Sequence, residues 1–378
     1  MIITRIKLEN WKNFAKVDIP CGKRIFLIGP NASGKSNFLD ALRFLRDVAQ
    51  NGLEQAVLDQ RGGIKSIRYI NARQYPDITI SVILDDIWEY SLIFGTKKGK
   101  STPLVIKEIV KQNVDGKWKT ILNRPEKLDN EDPARLTQTA LQQVNANKEF
   151  REIPEFFSTI EYRHILPQLV REPKAFSPAP VVNDPFGRDL VFTIWKTPEK
   201  TRISRLRKIN EALKIAVQNL EDLTVVQDSD GLPHLVVKYM HWRSQGAYQR
   251  EDVFSDGTLR LLALLWSLLS TDGPLLLEEP ELSLHEEIVA QLPTIFARLD
   301  RNRKKTTRQI FVTTHARSLL DDPGIGPNEV LRLEPGHEGV EILLPTDQEH
   351  EMMRDGMTAA DILLPKTRPE NIHQLRLF

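Results

Sequence analysis

The segment from Gly29 to Ser36, GPNASGKS, has the residue types and spacing that bind the phosphates of a nucleotide. It fits G-x-x-x-x-G-K-[ST] at every fixed position. Gly29 and Gly34 let the backbone curl, so that successive N–H groups point at phosphate oxygens. Lys35 is expected to reach the β and γ phosphates, and the Ser36 hydroxyl to bind Mg²⁺. The loop predicts a site for a nucleoside triphosphate. Its further predicted nucleotide contacts are Asn31, Ala32, Ser33 and Asn37.

A run of leucines ends in acids at LLLEE, from Leu275 to Glu279. A phosphate-binding loop needs a second strand that ends beside the phosphates and carries an acid for the magnesium shell. Glu278 is predicted to hold Mg²⁺, directly or through water, and Glu279 to orient and polarise the attacking water. The two carboxylates need not touch, because neighbouring strand residues point to opposite sides. A solvated strand end is the alternative, which the phosphate-binding loop disfavours.

Two further segments place polar groups at the ends of elements. FVTTHA, from Phe311 to Ala316, is predicted to be a buried strand with His315 at its carboxyl edge, where ligands of open α/β sheets bind. His315 would there hydrogen-bond to a γ phosphate, and a structural histidine is the alternative. In VFSDGT, Ser255 and Gly257 stand at the start of a helix. This predicts either a simple N-cap or a second phosphate-binding helix end.

The surrounding pattern predicts the elements that position these residues. Alternating apolar residues predict two half-buried strands within 1–20 and an antiparallel sheet between about 66 and 122. After the loop, one face of a helix carries four apolar residues: Phe38, Leu42, Leu45 and Ala49. A second amphipathic helix, at about 201–220, carries six: Ile203, Leu206, Ile209, Leu213, Val217 and Leu220. From 253 onward helix and strand alternate, which is typical of a parallel sheet.

Composition narrows the class of protein. Of the 378 residues 40% are hydrophobic, enough for a substantial core, and 52 are basic against 51 acidic. This balance argues against a uniformly basic nucleic-acid binder, although it permits local basic patches. The single cysteine, Cys21, can build neither a disulfide framework nor a thiolate zinc site. No signal-peptide core or membrane-spanning run is visible, so we expect a soluble, cytoplasmic protein.

Five motifs follow one another along the chain: NWKNF (Asn10 to Phe14), GPNASGKS, FSDGT, LLLEEPELSLH and TTH. Over about 1–60 and 250–335 this order resembles the ABC-type ATPases of the SMC, RecF and OLD group, rather than kinases, small GTPases or AAA+ motors. The resemblance implies a protein that binds ATP and Mg²⁺ and hydrolyses the nucleotide. In that group the segment matching NWKNF borders the adenine and phosphates. Lys12 and Asn13 are therefore candidate nucleotide contacts.

The resemblance also implies a homodimer that sandwiches two ATP molecules. In the group the motif matching SDGT binds the γ phosphate of ATP held by the other subunit, which gives Ser255 and Gly257 a role in trans. Asp256 and Thr258 replace a glycine and the glutamine of the usual L-S-G-G-Q motif. That departure looks OLD-type and unlike transporter ATPases. EPELSLH matches the D-loop region, with His285 where many members have Asp.

The predicted fold is α/β: an ABC-type P-loop ATPase head with an added antiparallel β layer and a mixed helical and irregular insertion. Halves of the ATPase domain at 1–65 and 251–345 flank the insertion at 66–250, and 346–378 form a C-terminal tail. The insertion shows no heptad run, which excludes an SMC-type coiled-coil filament. The residues after His315 contain no D-x-D pair, so a Toprim nuclease domain is not expected. Gln74 is a weak match for the glutamine loop of the group and is not included in the site.

The leading functional hypothesis is an ATPase that dimerises around ATP and gates a partner acting on nucleic acid, in anti-phage or mobile-element defence. The partner would be a nuclease or another effector protein, and no membrane is involved. The alternative is a RecF-like DNA-repair clamp, whose slow ATPase times its release from DNA. Basic segments at 201–208 and 301–308 would line a DNA groove in that case, although each also fits a solvated face. The SDGT motif disfavours a transporter subunit.

Overall fold

The computed structural model describes residues 1–72, 76–97, 99, 101–172, 184–240, 246–270, 272–301, 308–336 and 338–368, with the backbone alone at 299–301. These residues form fifteen strands: β1 (Ile3–Trp11), β2 (Phe14–Pro20), β3 (Arg24–Ile28), β4 (Ile78–Leu84), β5 (Trp88–Gly95), β6 (Leu104–Val114), β7 (Lys117–Arg124), β8 (Glu161–Arg163), β9 (Leu220–Gln227), β10 (Pro233–Tyr239), β11 (Ala247–Arg250), β12 (Leu275–Glu278), β13 (Ile310–Thr313), β14 (Val330–Gly336) and β15 (Gly339–Leu343).

The same residues form thirteen α-helices: α1 (Lys35–Asn51), α2 (Leu53–Val57), α3 (Ile64–Ile67), α4 (Lys127–Glu131), α5 (Glu152–Ser158), α6 (Pro167–Arg171), α7 (Leu190–Lys196), α8 (Glu199–Ala216), α9 (Asp256–Ser270), α10 (Glu286–Arg301), α11 (Arg317–Leu320), α12 (Asp347–Arg354) and α13 (Ala359–Ile362). Short 3₁₀ turns lie at Pro133–Thr137, Ala140–Gln142, Glu251–Val253, Pro327–Glu329 and Leu364–Thr367. Across the described part of the chain, no helix combines the length and apolar character needed to cross a membrane.

Six strands form an antiparallel sheet in the order β2-β1-β4-β5-β6-β7. In β4, for example, Ile78, Ile80, Val82 and Leu84 are buried and the residues between them are half-buried. The alternating sequence pattern produces this arrangement, because successive residues of a strand point to opposite faces of the sheet. The predicted antiparallel β layer is confirmed, and it includes the two strands at the start of the chain.

A second six-stranded sheet has the order β15-β14-β3-β13-β12-β8 and is parallel from β14 to β8. Strands β3 and β12 are apolar at nearly every position, as expected for strands covered on both faces. Because β3, β13 and β12 run parallel, their carboxyl ends meet at one edge of the sheet. Three neighbouring segments therefore begin at this edge, with the residues that follow the strands: Gly29, Thr314 and Glu279. Strand β8, at the edge of this sheet, comes from the predicted insertion at 66–250. The division of the chain into four parts stays a prediction.

Helix α1 packs against both sheets and joins their cores. Of the four residues on its predicted apolar face, the first three are buried: Phe38, Leu42 and Leu45. On one side the ring of Phe44 lies 5.3 Å from that of Trp11 and 5.1 Å from that of Phe94, both in the antiparallel sheet. On the other side the ring of Phe38 lies 6.3 Å from that of Phe311 in β13. The helix that begins at the phosphate-binding loop is thus fixed between two layers.

A third sheet, with the order β11-β10-β9, packs with α8 and α9 around a separate apolar cluster. The predicted helix at 201–220 corresponds to α8 and needs a correction at its end. The helix stops at Ala216, and Leu220 begins β9, because this apolar stretch pairs with β10 as a strand. Ile203, predicted on the buried face, is 58% exposed.

A buried arginine holds the outer side of α1. Arg61 Nη2 lies 2.8 Å from Asp40 Oδ1 and 2.9 Å from Asp47 Oδ2. Its guanidinium also lies over the ring of Phe44, 5.1 Å from the centroid. Burial alone would raise the pKa of Asp40, but the charge and hydrogen bonds of Arg61 hold that pKa below its usual value. Lys12 Nζ, 2.7 Å from Asp40 Oδ2, completes the network.

We expect Arg61→Met to lower the free energy of unfolding by about 3–5 kcal/mol, because it leaves buried carboxylates without their cation. Urea denaturation followed by circular dichroism measures the loss. The matched control is Arg5→Met, which removes an exposed pair with Asp18 at 2.6 Å and should cost less than about 1 kcal/mol. Equal losses in the two variants would show that the Arg61 network does not depend on burial.

Candidate nucleotide-binding site

The phosphate-binding loop follows β3 and leads directly into α1, which begins at Lys35. Ala32 and Gly34 have φ angles of 62° and 94°, so the backbone turns sharply, and Asn31 and Ala32 are exposed. A Cβ on Gly34 would lie 2.0 Å from Asn13 Nδ2, and the left-handed φ at this position favours glycine independently of that contact. The first N–H groups of a helix lack partners within it and, with its dipole, favour an anion at this end.

Lys35 is buried and turns back onto its own loop. Its Nζ donates to the carbonyl oxygens of Gly29 and Pro30, each at 3.0 Å. Burial lowers the pKa of Lys35. The charges of three carboxylates oppose that shift: Glu279, Glu278 and Glu281. The loop therefore contains a cation surrounded by backbone oxygens and acids, at the position where the motif predicts contacts with phosphates.

The two predicted magnesium ligands come together between the loop and β12. Ser36 Oγ donates a hydrogen bond to Glu278 Oε1, and the Tyr162 hydroxyl donates to Glu278 Oε2. Mg²⁺ prefers oxygen ligands and is usually held by one or two protein groups together with water and substrate phosphates. Within the described ranges no group of three His, Cys, Asp or Glu residues could hold a metal by itself. Ser36 and Glu278 therefore fit Mg²⁺ as part of a shell shared with a nucleotide.

Glu279 and His315, predicted to act on the attacking water and the γ phosphate, lie on neighbouring segments. Glu279 Oε1 is 3.8 Å from His315 Nε2. Glu279 has a left-handed φ of 43°, and its N–H donates to the Thr313 carbonyl oxygen at 3.1 Å. Such backbone strain occurs at functional sites. Burial and the nearby charge of Lys35 lower the pKa of His315, which leaves the imidazole neutral near pH 7.

Glu281 is a site residue that sequence reasoning missed. Its Oε1 accepts hydrogen bonds from Thr314 Oγ1 at 2.7 Å and from the backbone N–H of His315 at 3.1 Å. Burial raises the pKa of Glu281. The carboxylate thus fixes the end of β13 relative to the segment after β12. The sequence showed a third acid in EEPE, but not which backbone that acid would meet.

Tyr162 and His164 were also missed, because they lie within and directly after the three-residue strand β8, in a proline-rich stretch. Tyr162 pairs in register with Leu276 of β12. His164 Nδ1 lies 3.3 Å from the carbonyl oxygen of Glu278. Burial and the charge of Glu278 raise the pKa of Tyr162, so its hydroxyl remains a donor. Gln74, the weak candidate for the glutamine loop, lies outside the described residues.

Lys12 and Asn13 support the loop through other residues. Lys12 pairs with Asp40 in the Arg61 network. Asn13 Nδ2 donates to the carbonyl oxygen of Ser33 at 3.1 Å, and Asn37 Nδ2 donates to Asn13 Oδ1 at 2.9 Å. Ser33 itself is fully buried. Direct contact of Lys12 and Asn13 with a nucleotide stays a prediction. Their role in shaping the loop was not predicted from the sequence.

Ser255 and Gly257 lie where α9 begins. The backbone N–H of Thr258 donates to Ser255 Oγ at 3.2 Å, as in an N-cap. A Cβ on Gly257 would lie 2.7 Å from the carbonyl oxygen of Ser283, so α9 closely approaches the segment after β12. The contacts described for both residues are with α9 and this segment, not with the phosphate-binding loop of the same chain. Their contact with ATP of a second subunit stays a prediction.

Comparisons with known proteins identify the family of the chain and similar folds. The family model described as "AAA domain, putative AbiEii toxin, Type IV TA system" matches residues 24–321. One similar structure is the Smc head bound to the C-winged helix domain of ScpA, with 14% identity and a TM-score of 0.53 over 93% of this chain and 100% of that one. Another is the Smc head domain from Pyrococcus furiosus, with an extended coiled coil, bound to the C-terminal domain of ScpA. It has 12% identity and a TM-score of 0.51 over 93% of this chain and 98% of that one. No curated protein is similar enough in sequence to match.

At such low identity the likeness to Smc heads shows the fold. The predicted α/β fold, an ABC-type ATPase head with an added antiparallel sheet, is confirmed. The finer resemblance to OLD-type ATPases stays a prediction. Because the family model covers most of the chain, the protein belongs to the AAA domain family described as a putative AbiEii toxin of a type IV TA system.

Proposed function

We propose that the protein binds ATP with Mg²⁺ at the loop Gly29–Ser36 and hydrolyses the nucleotide. The observation that carries this proposal is the convergence of Lys35, the Ser36–Glu278 pair and the Glu279–His315 pair at one edge of the parallel sheet. A cation for phosphates, oxygen ligands for a metal and a carboxylate for water are the groups that phosphoryl transfer to water requires. ATP of the cytoplasm would be the substrate, and we expect the protein to act there.

Each residue of the site then has a defined task. The Nζ of Lys35 gives up its hydrogen bonds to the carbonyl oxygens of its loop and donates to β and γ phosphate oxygens instead. Ser36 and Glu278 would hold Mg²⁺, which would supply positive charge to balance those oxygens. Glu279 accepts a proton from the water whose oxygen bonds to the γ phosphorus, while the bond from that phosphorus to the β–γ bridging oxygen breaks. The neutral His315 donates a hydrogen bond to a γ oxygen.

Two copies of the chain close around two ATP molecules in this proposal. Each active site takes its loop and acids from one copy and Ser255 and Gly257 from the other. Support comes from the resemblance to the dimeric ABC-type group and from the position of both residues at a helix N-terminus, where the dipole favours a phosphate. ATP binding would close the dimer, and hydrolysis would reopen it.

A nuclease or other effector acting on nucleic acid is the proposed partner, in anti-phage or mobile-element defence. The family description, which names a toxin of a TA system, supports action with another component. A RecF-like DNA clamp has less support. Arg308, from the second basic segment, is buried and donates to the carbonyl oxygens of Ser267 and Leu268. Of the first segment, Arg207 and Lys208 are exposed on α8.

Lys35→Ala should weaken ATP affinity by about 10- to 100-fold, because a charged hydrogen-bond donor to the phosphates is lost. Isothermal titration with Mg-ATP measures the change. Lys23→Ala, which removes an exposed lysine at the start of β3, is the matched control and should bind normally. Unchanged affinity in folded Lys35→Ala would refute the loop assignment.

Glu279→Gln should preserve ATP binding and reduce the hydrolysis rate by about 10²- to 10⁴-fold, because an amide cannot accept the proton from water. Phosphate release under saturating Mg-ATP gives the rate, and size exclusion with ATP should show an accumulated dimer. Glu286→Gln, at an exposed position in α10, serves as the control. Normal hydrolysis by Glu279→Gln would mean that another residue accepts the proton.

Mixing Lys35→Ala with Ser255→Arg should restore part of the activity that each variant lacks alone. In a mixed dimer one composite site has an intact loop from one copy and an intact Ser255 from the other. Phosphate release across a range of mixing ratios, at constant total protein, measures the recovery. No recovery at any ratio would contradict composite sites that work independently.

A further inference from the structure

Arg260, in the second turn of α9, is a mostly buried arginine to which the described part of the chain gives no hydrogen-bond or ion-pair partner. The residue is 9% exposed, and its Nε is buried without a hydrogen bond. In the described part of the chain its guanidinium makes no hydrogen bond and no ion pair. Buried polar groups are nearly always paired, and the Nε of Arg260 is an exception. Arg260 therefore requires an explanation that a stable, static contact does not provide.

The surroundings of Arg260 contain room for movement. The side chain lines a cavity of about 20 Å³ between α9 and the strands that carry the site. The other lining residues are Arg163, Ile165, Leu264, Ser267, Leu277, Glu278 and Pro280. The volume is about that needed for one water molecule, so the side chain of Arg260 borders unfilled space.

Glu281 is an acid whose carboxylate also lacks a hydrogen-bond partner at one oxygen. Its Oε1 is used by Thr314 and His315, but its Oε2 is buried without a hydrogen bond. Arg260 lines the same cavity as Pro280, which precedes Glu281 in the chain, and the acids near its charge are Asp256, Glu279 and Glu281. Of these, Asp256 accepts from Arg171, and Glu279 is about one-third exposed to solvent. Glu281 is the acid with a buried oxygen left to accept.

Lys35 explains why the two groups can remain apart before a nucleotide binds. Its charge interacts favourably with Glu281 across the site. Phosphates bound at the loop would pair with the Lys35 ammonium. The Glu281 carboxylate would then need another cation. A ligand shifts a conformational equilibrium only through such a difference between states. The segment 279–285, which carries left-handed φ angles of 43° at Glu279 and 61° at Ser283, is the backbone that would adjust.

We propose that Arg260 and Glu281 are positioning residues that form an ion pair in the nucleotide-bound state. The pair would connect α9, which starts with Ser255 and Gly257, to the backbone of His315 through Glu281. Nucleotide binding in one copy would in this way set the position of the helix end that it presents to the other. The inference rests on the proposed ATP site.

A double-mutant cycle on nucleotide affinity tests the pair, and it does not depend on hydrolysis. The variants are Arg260→Met, Glu281→Gln and the double variant, titrated with Mg-ATPγS by calorimetry. Gln at 281 keeps the oxygen used by Thr314 and His315. Each single variant should bind about tenfold more weakly and the double variant also about tenfold, because either change removes the same pair. A hundredfold loss in the double variant, or no loss in either single one, would refute the pairing.

The thermal midpoint without nucleotide separates this role from a structural one. Arg260→Met should leave that midpoint unchanged or raise it, since it removes an unpaired buried charge, and Arg260→Lys should keep most of the affinity. Arg207→Met, at an exposed site on α8, is the control. A nucleotide-free Arg260→Met protein that melts earlier or fails to fold would show that the arginine is structural. A wild-type chain that does not bind Mg-ATPγS would refute the proposed function and this inference with it.

Discussion

The parallel pairing of β3 with β13 and of β13 with β12 is the constraint on which the site depends. Leu27 pairs with Thr313, and Thr313 pairs with Glu278. A slip of one residue would turn every side chain of a strand to the opposite face, and Glu278 would no longer reach Ser36. The buried apolar residues of these strands hold the register. The core of the sheet and the geometry of the site are therefore set by the same residues.

Charge around Lys35 gives the site its second constraint. Three glutamates act on one buried ammonium, and their carboxylates are kept apart by different partners. Glu278 is held by two hydroxyls, Glu281 by the end of β13, and Glu279 remains partly exposed near His315. Bound phosphates would bring more negative charge, which Mg²⁺ would balance in the proposed function.

Sequence reasoning predicted the parts of the molecule that are encoded locally. The loop at Gly29–Ser36, the acids after β12 and the alternating strands depend on neighbours within one element. Tyr162 could not be found in this way, because it meets Glu278 from 116 positions away through a strand too short to show a period. The end of α8 was wrong because an apolar pattern continues into β9, where pairing with β10 decides the structure. Contacts such as those of Arg61 and Glu281 require the assembled fold.

The position of α1 has a mechanical consequence. The helix begins at Lys35, and the backbone carbonyl oxygen of Asn37 accepts a hydrogen bond from the indole N–H of Trp11 at 2.8 Å. Further along, Phe44 stacks on Phe94 with ring planes 17° apart. Close-packed interiors transmit strain rather than absorb it. The helix would therefore transmit a displacement at bound phosphates to the antiparallel sheet. In the proposed function, a partner bound to the outer face of that sheet would respond to the nucleotide through α1, without touching it.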